Sequence, residues 1–332
     1  MNYIGSKLTL TKFLSDSILD VVGNNISGCT FADLFAGTGA VGMAFKEKGC
    51  RVIANDIQYY SYVLNRHLIG NVPPLDVSEF GYMFELEGAD GFVYNNYCEG
   101  SGSGRNYFSD DNGRKCDAIR IELENLRKEN RIDERQYYYI LASLINSIDK
   151  YANTASVYGA YLKHIKNSAQ RNFKLELLPV IDGSDKCEVY NRDVNELIGE
   201  ISGDILYLDP PYNARQYCAN YHVLETIARY DNPVLKGVTG LRDSTEQKSL
   251  YCSKRTVENV FDDLIRRADF KYIFLSYNNE GLMSFDTIKS IMSQYGKYDV
   301  CQRDYRRFKA DRDENRNHKS DSTTEYLHCL IK

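Results

Sequence analysis

Apolar positions along the chain follow two rhythms. Leu10, Phe13, Leu14, Ile18, Val21 and Val22 recur at helical spacing over residues 8–22, and Gly23, Asn24, Asn25 and Gly28 end that helix. Short apolar runs come next, alternating with helical stretches. Residues 30–35 read as a strand, followed by a glycine-rich turn over 36–42 and a helix to about Lys48. Residues 51–56 form a second strand ending on a carboxylate, and a helix from Tyr59 to about His67 follows. Strand, glycine turn, helix, strand, helix is how a doubly wound, mostly parallel sheet opens.

Pro73-Pro74 interrupts this pattern, and the composition shifts as far as about Asp185. The expectation is a domain inserted at 76–185 into an α/β body formed by 1–75 and 186–332. Within the insert, Gly100-Ser101-Gly102-Ser103-Gly104 predicts a flexible loop, and residues 115–130 a charged surface helix. A second helix starts at Asp133, with Tyr137, Leu141, Leu144 and Ile148 on one face. The α/β pattern resumes with strands at 187–190, 205–208 and 270–277, the last ending in a turn at 278–281. Residues 325–331 predict an edge strand that closes the sheet, after a mixed-charge segment at 303–319.

Composition narrows the function classes. The chain has 332 residues, 43% of them hydrophobic, enough for one large or two smaller cores. A net charge of −5 argues against non-specific coating of nucleic acid, though not against a local basic groove. Nine cysteines without a CxxC pair read as reduced thiols, so no disulfide framework and no metal site are expected. His222 and Glu225 share a helix but have no evident third ligand. The N-terminus lacks a signal sequence and no apolar run reaches a membrane span, so a cytoplasmic location is expected.

Two stretches carry candidate chemistry. Phe35-Ala36-Gly37-Thr38-Gly39-Ala40-Val41-Gly42 lies between a strand and a helix, where glycines let backbone approach a ligand closely. Asp56, at the end of the next strand, is placed to accept bonds from a ribose diol. Together they point to a nucleoside cofactor, either NAD or S-adenosylmethionine. Asp209-Pro210-Pro211-Tyr212-Asn213 decides between these. Its prolines cannot continue a strand ladder, so Asp209 stands where a buried strand stops and a rigid turn begins. Hydride transfer has no use for such a turn. Attack by the exocyclic amine of adenine does, because its lone pair is delocalised into the ring. Asp209 and the Pro210 carbonyl can accept the two N–H bonds and favour a pyramidal nitrogen, while Tyr212 stacks on a base flipped out of a duplex.

With these residues, the chain resembles the D12 class of N6-adenine-specific DNA methyltransferases in the α-group arrangement, as found in type II restriction-modification systems. The resemblance rests on Asn2-Tyr3-Ile4-Gly5-Ser6-Lys7, on Asp33 to Gly39, on Asn55-Asp56, on Asp193-Val194 and on Asp209-Pro210-Pro211-Tyr212, in that order. It implies a Rossmann-like methyltransferase fold whose insert reads the target sequence. S-adenosyl-L-methionine would be held by Tyr3, Lys7, Asp33, Phe35, Gly37, Gly39, Asp56, Asp193, Val194 and Asp209, with Lys7 near the methionine carboxylate. Asp209, Pro210, Pro211 and Tyr212 would form the catalytic set. Double-stranded DNA is the expected partner, with a cognate restriction endonuclease acting on the same site. Candidate DNA contacts are Arg215, Gln216, Tyr158, Lys163, Arg306, Arg307 and Lys309. Ser276-Tyr277-Asn278 resembles a later family motif that shapes the base pocket. Two alternatives stay open on sequence alone: the same chemistry on RNA, and a catalytically silent DNA-binding relative.

Overall fold

The computed structural model describes residues 7–306 and 322–332. They divide into two compact units. One comprises residues 7–57, Ile181–Gln216, 247–306 and 322–332, and the other Gln58–Val180 with Tyr217–Glu246. The strands are β1 (Thr30–Asp33), β2 (Arg51–Asn55), β3 (Glu188–Tyr190), β4 (Ser202–Leu208), β5 (Asp269–Asn278), β6 (Lys297–Arg306) and β7 (Ser322–Ile331). The helices are α1 (Thr11–Val22), α2 (Ala40–Lys46), α3 (Tyr59–Leu68), α4 (Phe92–Tyr97), α5 (Asp110–Lys128), α6 (Glu134–Asp149), α7 (Val194–Leu197), α8 (Tyr217–Asn220), α9 (His222–Arg229), α10 (Val257–Arg267) and α11 (Phe285–Met292). No described helix is long and apolar enough to cross a membrane.

All the strands belong to the first unit and form one sheet in the order β3-β2-β1-β4-β5-β7-β6. β3, β2, β1, β4 and β5 are parallel, β7 runs antiparallel to β5, and β6 antiparallel to β7. Alternation along the strands sends side chains to both faces. On one face Phe31 stacks on Phe45 of α2, ring centroids 3.8 Å apart, next to Tyr207. On the other, Ala32, Leu34, Leu206, Leu208, Ile273 and Leu275 join a core with residues of α7, α10 and α11. Both faces are covered, as a doubly wound α/β sheet requires. The switch in strand order falls between β1 and β4, whose carboxyl ends end the crevice where such sheets bind ligands.

Two sequence expectations change here. Residues 325–331 are not an edge strand: β7 lies between β5 and β6, with Leu327, Cys329 and Leu330 buried. The edge is β6, for which no strand is expected from the sequence and whose last four residues fall in the expected mixed-charge segment at 303–319. Its opening run Lys297-Tyr298-Asp299-Val300 alternates polar with apolar side chains, as suits a strand at the rim.

The second unit is helical with a tyrosine-rich core. α6 starts at a capping box in which the Asp133 side chain accepts from the Gln136 N–H and the Gln136 side chain accepts from the Asp133 N–H. Tyr137, Tyr138 and Tyr139 are all buried. This unit runs from Gln58 rather than residue 76, because Tyr60, Val63 and Leu64 of α3 pack into its core. It also takes in residues 217–246, since Val223, Leu224 and Ile227 of α9 complete the same core. The charged helix expected at 115–130 is α5, which begins at Asp110 and is half core. Buried Asp117 accepts from the N–H groups of Val93 and Tyr94 at 2.9 and 2.7 Å, and from the Tyr230 hydroxyl at 2.7 Å. Buried Arg120 donates to the Ile227 carbonyl at 2.9 Å and pairs with Glu124 at 2.7 Å. The glycine-serine loop at 100–104 is pinned as well, its serine hydroxyls donating to the Cys98 carbonyl.

Candidate active site

Four acidic residues stand at the carboxyl ends of the parallel strands: Asp33 as the last residue of β1, Asp56 after β2, Asp193 after β3 and Asp209 after β4. The turn from β1 into α2 depends on glycine. Gly37 and Gly39 have φ of 51° and 79°, in the left-handed region that side-chain-bearing residues resist. The Gly37 N–H donates to Asp56 Oδ2 at 2.8 Å, which fixes the turn to the end of β2. Asn55 joins three strand ends, donating to the Leu34 and Arg192 carbonyls and accepting from the Arg192 N–H.

Asp33 is buried, and its Oδ1 has no hydrogen-bond partner among the described residues. Burial, reinforced by the charges of Asp209 and Asp56, raises its carboxyl to about 8, against backbone N–H bonds from Gly42 and Phe35 that favour ionisation. An orphaned acceptor at the mouth of a glycine turn is shaped for a cationic ligand group. Phe35 packs edge-on against Tyr251, ring centroids 5.1 Å apart, giving an aromatic wall beside that turn. Asp193 caps α7, accepting from the Asn195 and Glu196 N–H groups at 2.8 and 3.3 Å, and Val194 is buried behind it.

The end of β4 holds the densest polar cluster. Lys7, buried, donates to Glu325 Oε1 at 2.8 Å and to the Tyr212 hydroxyl, and stands 3.2 Å from Asp209 Oδ1. Tyr212 Oη lies 2.7 Å from both Asp209 Oδ1 and Glu325 Oε1. Ser276 donates to Glu325 Oε1 at 2.6 Å. Burial raises the Asp209 carboxyl to about 6; Lys7 and the Tyr212 hydroxyl pull it down, and the Glu325 charge pushes it up. Burial also opposes ionisation of Glu325, but Lys7 and its hydrogen bonds outweigh that and hold it below the usual range. Lys7 in turn is raised by the two carboxylates against its own burial. Asp209 Oδ2 and the Pro210 carbonyl accept no hydrogen bond among the described residues.

The sequence-derived candidates divide on this geometry. Asp209, Pro210, Pro211 and Tyr212 meet as expected at the strand end, and Asp33, Phe35, Gly37, Gly39 and Asp56 line the adjoining turns. Lys7, expected at a cofactor carboxylate, instead has its three N–H groups directed at Asp209, Glu325 and Tyr212. Tyr158, expected on DNA, is a core residue: it is fully buried, and its hydroxyl donates to Asp149 at 2.9 Å. The Gln216 amide is bound to the Ser249 backbone in both directions, at 3.0 and 2.9 Å, which makes it a brace between loops. Arg215 and Lys163 are exposed. Arg306 ends β6 opposite Ser322, while Tyr3, Arg307 and Lys309 lie outside the described residues. Glu325 went unnoticed in the sequence, where it reads as a charge at a strand boundary. Among the described residues, no group of three or more His, Cys, Asp or Glu is arranged to hold a metal.

Comparison with known proteins settles what kind of molecule carries this site. The family model of D12 class N6 adenine-specific DNA methyltransferases matches residues 3–319. The chain belongs to that family. As a D12 class methyltransferase it is 56% identical to the type II methyltransferase M.NlaIII of Neisseria lactamica, over the whole of this chain and 99% of that protein. It is 40% identical to the type II methyltransferase M.FokI of Planomicrobium okeanokoites, over 93% of this chain and half of that longer protein. Among solved structures, magnesium protoporphyrin IX methyltransferase of Synechocystis PCC 6803 with bound SAM covers the whole chain and 85% of its own, at 9% identity and a TM-score of 0.36. A likeness that low adds nothing to the fold read from the strand order. The family establishes an adenine-specific DNA methyltransferase, and relatives matching 93% or more of the chain are named type II methyltransferase or modification methylase.

Proposed function

We propose that this methyltransferase takes its methyl group from S-adenosylmethionine and places it on N6 of an adenine turned out of double-stranded DNA. The observation that carries the reading is the state of the β4 turn. Asp209 Oδ1 is occupied by Lys7 and Tyr212, while Oδ2 and the next carbonyl, that of Pro210, accept nothing among the described residues. Two vacant acceptors on consecutive residues suit an amine with two N–H bonds. Both bonds drawn to fixed oxygens favour a pyramidal nitrogen whose lone pair is available. Pro210 and Pro211 lock the backbone φ, so the acceptors do not shift when the base enters. Tyr212 offers its ring to the base, with its hydroxyl held at the cluster. A carboxyl raised to about 6 is also a fitting acceptor for the proton the amine sheds.

The cofactor's role is to supply a methyl activated on a sulfonium. The residues present fit it. Asp33 Oδ1 is a vacant carboxylate oxygen for the cofactor ammonium, Asp56 suits the ribose, and Gly37 and Gly39 admit backbone contact with it. The Phe35–Tyr251 wall and Val194 are apolar surface for its adenine. The helical unit, Gln58–Val180 with Tyr217–Glu246, is the proposed reader of target sequence, with Lys163 on a phosphate; Arg215, in the sheet unit, is a separate candidate for a phosphate. The type II methyltransferase and modification methylase names of the relatives support a cognate endonuclease for the same site, and a DNA substrate suits a cytoplasmic location.

The reading is tested by incubating the purified protein with methyl-labelled cofactor and unmethylated duplex DNA, with matched RNA in parallel, then digesting to nucleosides. Label in N6-methyldeoxyadenosine from the DNA arm alone is the expected result. Label in another nucleoside, or in the RNA arm, would overturn it.

A further inference from the structure

Glu325 lies 318 residues from Lys7 in sequence, yet they share the centre of the buried cluster. It enters from β7, opposite Asn278 of β5, so its side chain faces the same side as Ser276, two residues along. Four groups converge on or around its Oε1: the Lys7 ammonium at 2.8 Å, the Tyr212 hydroxyl at 2.7 Å, the Ser276 hydroxyl at 2.6 Å and, through Lys7, Asp209. A phenol has one proton. The Tyr212 hydroxyl has two carboxylate oxygens at the same 2.7 Å, Asp209 Oδ1 and Glu325 Oε1, and can donate to one at a time. Lys7 divides its charge in the same way, lying closer to Glu325 than to Asp209. Without Glu325, both donors would settle on Asp209.

We propose that Glu325 is a positioning residue for methyl transfer: it draws the Lys7 ammonium and the Tyr212 proton toward β7, and so leaves Asp209 with acceptor strength to spend on the adenine amine. This rests on the reading of Asp209 as the amine acceptor given above. A carboxylate already saturated by an ammonium and a phenol is a poor third acceptor, because each bond withdraws charge from the others. Glu325 does not touch the base in this scheme. It acts through Lys7 and Tyr212, and through the serine that anchors it.

The charged and titratable groups facing this pair are few. Asp209 is faced by Lys7, Tyr212, Tyr207, Asp33 and Glu325. Glu325 is faced by Lys7, Tyr212, Tyr207, His328 and Asp209. Among those around Asp209, Lys7 and the Tyr212 hydroxyl favour its ionised form, and Glu325 opposes it. Removing the Glu325 charge therefore moves the ionisation of Asp209 to lower pH while weakening it as an acceptor.

The test is a kinetic comparison of the full-length enzyme with E325Q, E325D, S276A and D209A, on duplex DNA carrying the target site. E325Q keeps the shape and loses the charge. Its kcat is expected to fall about thirtyfold, the worth of a hydrogen bond to a charged group, with KM for DNA and cofactor within about threefold. The acid limb of its kcat–pH profile should shift to lower pH, and E325D should keep that limb at the wild-type position and recover part of the rate. Wild-type kcat in E325Q, or a loss of rate with an unmoved acid limb, overturns the proposal. Should E325Q fail to fold, S276A decides in its place: it should show a smaller change in the same direction, and wild-type rate and profile there overturn the proposal. D209A separates the two levels. If it retains the wild-type rate, the amine-acceptor reading fails as a whole; if it is dead while E325Q is normal, only the role of Glu325 fails.

Discussion

At the scale of single residues, the site is governed by what burial does to carboxyl groups. Asp209 must be ionised to accept from an amine, and its carboxyl is raised to about 6. The rate of methyl transfer is expected to fall as the pH drops through about 6, approaching tenfold per unit below it. A single-turnover rate–pH profile measures this, and a profile flat down to pH 5 would contradict it. Asp33 works the other way for stability. Its carboxyl titrates at an ordinary 3.8 when exposed and at about 8 in the fold. Between those values the folded protein holds a proton that the unfolded chain has lost, so stability falls as pH rises across that window. The substitution D33N should therefore raise the thermal midpoint at pH 8.5 more than at pH 5. It should also weaken binding of S-adenosylmethionine by at least about tenfold, since the carboxyl can give up its proton to pair with an ammonium and an amide cannot. Melting curves at the two pH values and calorimetric titration check both halves. A residue that costs stability and serves binding is a common compromise at functional sites.

At the scale of elements, the β1–α2 turn carries the cofactor prediction. Gly39 sits at φ 79°, and a β-branched side chain there costs about 1–3 kcal/mol of backbone strain. G39V is expected to lose cofactor affinity by about a hundredfold while the chain still folds, as equilibrium binding and circular dichroism would show. Wild-type affinity would contradict the placement of the cofactor at this turn. That turn was legible in the sequence because its signal is local: glycines at fixed spacing, a strand before and a helix after. The same holds for β4, where two prolines mark the end of an apolar run. Long-range features were not legible. β6 carries too few apolar residues to announce a strand. Glu325 reads as a boundary charge until β7 is placed between β5 and β6, with Lys7 brought to it from the other end of the chain. Tyr158 misled for a related reason, since a tyrosine among lysines reads the same whether it faces DNA or a core.

At the scale of the whole molecule, a chain of net charge −5 that acts on DNA must concentrate its positive charge locally. Lys163, exposed on the helical unit, is a candidate phosphate contact there. K163A should weaken duplex binding evenly across sequences and reduce the slope of log K against log salt by about 1. Fluorescence anisotropy at several salt concentrations would read this, and an unchanged slope would remove Lys163 from the interface. The chain divides into a sheet unit and a helical unit. A β4 turn that receives only an adenine, as proposed, leaves the surrounding sequence to be read by residues elsewhere, and the helical unit is the proposed place.

The central claim is that this chain methylates adenine N6 in DNA at a defined sequence through Asp209. Its most direct test is expression of the wild-type enzyme and of D209A in a host without DNA methylation, followed by genome-wide mapping of N6-methyladenine. The account predicts one recurrent sequence modified throughout the wild-type genome and none with D209A. A wild-type genome free of N6-methyladenine, or the same modified sites with D209A, would contradict it.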